Sequence, residues 1–112
     1  MRKLLFVSLL TLTTAACHRT AEQRRAAALR GEAKEQALTL EKQAKNTAGS
    51  LERQARALRE TGKATGGYTG KRLSARADDL SQQAKLVRKQ AHLKAEAITE
   101  EADARVKAAE SR

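Results

Sequence analysis

Side chains able to do chemistry are sparse in this sequence. Cys17 is its sole cysteine, and His18 and His92 are its only histidines. The two histidines are 74 positions apart, and His92 falls beside the apolar stripe of a solvated helix, so they make no shared site. Asp78-Asp79 and Glu100-Glu101-Asp103 are acidic clusters. Carboxylates that work as acid and base need a pocket that separates their pKa values, and nothing in the surrounding composition builds one. The string TGGYTGKR over 65–72 has glycines and a basic pair, yet it lacks both the GxxxxGK[ST] spacing of a phosphate loop and a preceding strand. No enzyme, metal site or cofactor is expected. Cys17 is left as the position whose chemistry matters, as a thiol that can be acylated.

The residues before it say how it would be used. Arg2 and Lys3 form a positive start, Leu4 to Thr14 an apolar stretch, and Ala15-Ala16 a small pair. That stretch is shorter than the roughly 18 apolar residues a spanning helix needs. An exported lone thiol would be reactive unless modified. Residues 14–17 resemble the lipobox of bacterial lipoproteins, with Thr14 standing where the family prefers Leu. The resemblance implies cleavage after Ala16 and a lipidated Cys17 anchored in a membrane. His18, where inner-membrane lipoproteins carry Asp, implies the outer membrane of a Gram-negative envelope, facing the periplasm. The domains are therefore read as a signal peptide over 1–16 and a lipid-anchored body over 17–112.

The body has little to bury. Only twelve of its residues are Leu, Ile, Val or Phe, while 21 are Ala, and the chain contains no Pro and no Trp. Ala, Lys, Arg, Glu and Gln favour helix. The expected fold is all-α, with long Ala-rich helices of low intrinsic stability rather than a globular core. Residues 33–43 (AKEQALTLEKQ) and 44–54 (AKNTAGSLERQ) repeat with a period of eleven, and the pattern fades after Ala55. Positions one, five and eight then form a narrow stripe along a nearly straight helix. The spacing returns as Leu80/Ala84/Val87, Ala91/Ala95/Ile98 and Ala102/Val106/Ala109, out of register with the first set. Four of the six glycines fall in 62–72, which reads as a hinge over 62–71. The prediction is helix one over about 20–61, opened by a Thr20/Gln23 capping box, and helix two over about 72–110, started by Asp78-Asp79. Folded back, the two make an antiparallel hairpin. The repeat resembles those of late-embryogenesis-abundant proteins, which become helical on drying or on membranes. The lipidated, Ala-seamed helix also resembles the major outer-membrane lipoproteins of enteric bacteria. Those use unbroken heptads and a terminal lysine, whereas this chain ends Glu110-Ser111-Arg112.

Charge supplies the remaining signal. The formal net charge is +10, which suits acidic partners, although Lys and Arg also solvate long helices. Arg19, Arg24, Arg25 and Arg30 follow the proposed anchor, opposed locally only by Glu22; Lys63, Lys71 and Arg72 crowd the hinge, where no acid occurs from Thr61 to Ala77. Tyr68, the sole tyrosine, lies among them. The expected role is a non-catalytic, structural envelope lipoprotein that self-associates through its Ala seam. The alternative is a basic helical protein that binds anionic lipid, lipopolysaccharide or another acidic polymer. Export argues against nucleic acid.

Overall fold

The computed structural model describes the backbone of residues 2–111 and the side chains of 21–111. Two helices account for it: α1 (Arg2–Thr65, 64 residues) and α2 (Gly67–Glu110, 44 residues). They pack side by side as an antiparallel hairpin. The side chains of the lipobox residues Ala16 and Cys17, and that of Arg19, lie outside the described residues.

The expected ten-residue hinge shrinks to the pair Gly66-Gly67, both with positive φ (67° and 63°). Gly66 alone separates the helices, with φ 67° and ψ −179°, a conformation essentially restricted to glycine. Its N–H donates to the Gly62 carbonyl at 3.0 Å and closes α1, while its carbonyl accepts from Gly70 N–H at 3.0 Å and opens α2. Gly62 and Gly70 are thus helical, and they serve a different purpose. A Cβ on Gly70 would lie 2.5 Å from the Gly62 carbonyl oxygen, and one on Gly62 would lie 2.9 Å from that of Gly70. Their missing side chains let the two backbones touch where the chain reverses.

The helix starts also differ from expectation. α1 runs unbroken through Thr20, so Thr20/Gln23 is interior rather than a cap. α2 begins at Gly67 with no acid in its first turn, so Asp78-Asp79 is not its start signal. Propensity carries both helices to the glycine pair, because no proline intervenes.

The seam is made of alanine. Ala33, Ala37, Ala44, Ala48 and Ala55 of α1 are buried against Ala77, Ala84, Ala91, Ala95, Ala102 and Val106 of α2. Leu40, Leu51 and Leu58, with Leu73, Leu80, Val87 and Ile98, flank it half-buried. The eleven-residue stripe is therefore real, but it does not end where the repeat fades. Beyond Ala55 it continues as Leu58 and Gly62, and α2 takes it up at Gly70, Leu73 and Ala77 in steps of seven. Both arms shift from elevens to sevens near the turn, which removes the supposed register slip. Gly62/Gly70, Ala55/Ala77 and Ala48/Ala84 are paired by equal counts from Gly66. At the far end the stripe stops at Val106, and Ala109 is exposed.

Candidate functional site

The flanks of the seam hold ion pairs rather than a pocket. Among the described residues three ion pairs cross between the helices, Arg30 to Asp103 at 3.3 Å, Arg59 to Asp78 at 3.0 Å and Arg88 to Glu52, and His92 Nδ1 lies 3.3 Å from Glu41. Arg59 also donates to the Ser81 hydroxyl at 3.0 Å. Within α2, His92 Nε2 lies 2.9 Å from Glu96, and Arg105 reaches Glu101 at 2.7 Å. All are solvent-facing, where a single pair contributes about 0–1 kcal/mol, so their main effect is to favour one register over its neighbours. The acidic clusters are absorbed here: Asp78 and Asp103 bind arginines across the seam, and Glu101 binds one along its own helix.

Glu52 is a perturbed acid. The hydrogen bond from Arg88 holds its carboxyl below the ordinary carboxylate range; desolvation opposes this, and the charges of Arg88 and Arg56 add to it. Arg88 is raised in turn, chiefly by the same bond. A lowered folded pKa means that ionised Glu52 stabilises the hairpin above the unfolded carboxylate value. That contribution is lost as pH falls through the lowered folded value. Melting temperature should therefore decline on acidification below about pH 4–5. Glu52→Gln should show a shallower decline over the same range in a thermal melt series, and an unchanged slope would refute the assignment.

The concavities are open grooves beside the seam, such as the one lined by Leu29, Ala33, Ile98, Ala102 and Arg105. Among the described residues no group of His, Cys, Asp and Glu is placed to hold a metal ion. None of the described helical segments is long and apolar enough to cross a membrane.

The basic residues fall at the two ends of the hairpin. Arg24 and Arg25 are exposed near the open end, but Arg30 is drawn into the pair with Asp103, so the basal cluster is weaker than it reads in sequence. At the turn, Lys63, Lys71 and Arg72 are exposed together, and none is among the described ion pairs. Arg72 lies over the Tyr68 ring, 5.9 Å from its centroid, within cation–π range. Arg76, one turn below Arg72 and also exposed, joins them. Sequence reasoning leaves it out of the site, although it lies in the same acid-free stretch from Thr61 to Ala77.

The distribution of charge along the chain sharpens this picture. Residues 61–77 carry four cations and no acid, and 18–30 carry four arginines and one glutamate. Between them the arms are nearly neutral: six cations face five acids over 31–60, and seven face seven over 78–112. The excess positive charge of the body is concentrated at its ends. At 1.5 Å per residue these ends are about 60 Å apart.

No family model, no curated protein and no solved structure matches this chain.

Proposed function

We propose that this chain is a non-catalytic envelope lipoprotein, exported, cut after Ala16 and lipidated on Cys17, whose hairpin stands off the membrane as a stiff spacer. The observation that carries the reading is the run from Arg2-Lys3 through the apolar stretch to Thr14-Ala15-Ala16-Cys17. Each methylene of an acyl chain contributes about 0.8 kcal/mol of membrane affinity, so two or more chains on one residue anchor stably. The helical arms support the same reading. They bury a narrow seam made mostly of Ala, and the turn lies at the end opposite the start of the body. His18, in the position that follows the cysteine, supports the outer membrane of a Gram-negative host, with the hairpin in the periplasm.

The Ala seam is occupied within a single chain, so self-association through it requires the hairpin to open and exchange arms. The second reading, a binder of anionic lipid, lipopolysaccharide or another acidic polymer, is favoured by the concentration of cations at the two ends.

Intact mass and membrane fractionation of the full-length protein test the main reading. Wild type is expected to lose residues 1–16, gain acyl mass and sediment with membranes. Cys17→Ser is expected to gain no lipid and to leave the membrane fraction on a salt wash. A wild type that keeps Met1, or is cut without gaining lipid, would overturn the anchor.

A further inference from the structure

We infer that the hairpin turn is an end-on docking site for an acidic polysaccharide, with Lys63, Lys71, Arg72 and Arg76 meeting its carboxylates or phosphates and Tyr68 stacking on a sugar ring. Tyr68 is 76% exposed, so the chain's sole tyrosine presents its ring to solvent rather than to the seam. Arg72 packs over the ring and holds it near the cations. Four cations without an acid over 61–77, none among the described ion pairs, set a positive local field at the turn, and the nearest acids along the chain, Glu60 and Asp78-Asp79, lie only at its edges.

The chemistry of the turn selects among anionic partners. A lipid surface is bound by large apolar side chains that insert below the headgroups. Here Leu58 and Leu73 are turned half-buried into the seam, and the exposed residues around Tyr68 are Thr65, Gly66, Gly67 and Thr69. A small ring-sized aromatic face, hydroxyls and guanidinium groups match a uronic-acid or phosphorylated sugar polymer instead. The choice of a glycan over nucleic acid rests on the export reading; the anion site at the turn does not.

The chain has no tryptophan, so Tyr68 emission reports on the turn alone. The full chain in neutral detergent would be titrated with polygalacturonate, with dextran, with phosphatidylglycerol vesicles and with a DNA duplex. Polygalacturonate is expected to change Tyr68 emission saturably, dextran not to, and the other two to act more weakly. Replacing Lys63, Lys71, Arg72 and Arg76 together by Gln should weaken polygalacturonate binding by about tenfold or more. Arg24→Gln with Arg25→Gln should change it by less than about twofold, because those residues lie beyond a Debye length. Circular dichroism of each variant checks that the helices persist. No emission change, equal loss from the basal variant, or tighter binding of vesicles or DNA would overturn the proposal. Binding of polygalacturonate by a chain whose Cys17 proves unlipidated would leave the site standing and remove only the spacer reading.

Discussion

Ala84→Asp should unfold the hairpin, while Leu86→Asp, two residues away, should leave it nearly intact. Intuition from side-chain size points the other way, since the larger apolar residue is the more tolerant. Ala84 is fully buried, whereas Leu86 is 55% exposed. By count from Gly66, Ala84 sits opposite Ala48, itself fully buried. A carboxylate placed there would be taken out of water among alanines, with Arg88, one turn away, already engaged by Glu52. An uncompensated buried charge costs about 3–5 kcal/mol. Stability of a native domain is only about 5–15 kcal/mol, and an alanine seam removes little apolar area per residue, so the margin here is small. Leu86→Asp should cost no more than about 0.5–1 kcal/mol, mainly helix propensity. Urea titration followed by circular dichroism distinguishes the two. Equal midpoints would mean that the seam is not the contact that holds the arms together.

The same residues show how far the sequence could be read. Helix content was legible because Ala, Lys, Glu, Gln and Arg share one preference and no proline interrupts them. The stripe was legible wherever an eleven-residue word recurs, as in Ala33/Ala37 and Ala44/Ala48. It faded at Ala55 because the period changes to seven, and a seam residue there can be Gly62 as readily as Ala. Composition cannot separate a glycine that bends the chain from one that admits a neighbouring backbone. Gly66 and Gly62 look alike until the two helices are set side by side. Reading all four glycines as loop widened the hinge to ten residues.

Cross-helix partners were out of reach for a related reason. Arg30 and Asp103, or Glu52 and Arg88, meet only because the reversal falls at Gly66. A shift of the turn by one residue moves every such pair by two positions. The cations at the turn needed no register, since Lys63, Lys71 and Arg72 lie close in sequence and any reversal in that stretch gathers them. Arg30 shows the converse. Its own helix places no acid one turn away, at 26, 27, 33 or 34, and its charge is answered by Asp103 of α2.

Alanine at the glycines should have opposite effects according to which role each glycine plays. Helical glycine is less favourable than alanine by about 0.8–1 kcal/mol. A methyl on Gly31 would meet nothing within 4 Å, and one on Gly49 would meet only the Arg53 side chain at 3.8 Å. Gly31→Ala and Gly49→Ala should therefore stabilise the hairpin by about 0.5–1 kcal/mol each. Gly70→Ala gains the same propensity, but its methyl would sit 2.5 Å from the Gly62 carbonyl oxygen. That oxygen is backbone, fixed by its bond from Gly66, so the helices must separate at the turn. Overpacking of this kind costs about 1–3 kcal/mol, and the net change should be destabilising. The damage should be local at first. Hydrogen exchange of the amides around 62–70 should accelerate before the melting temperature of the arms moves far, because the rungs from Ala55/Ala77 outward stay paired. If Gly70→Ala instead stabilised the protein as Gly31→Ala does, the backbones would not be in contact at the turn. Gly62 and Gly70 would then be loop residues, as their composition first suggests.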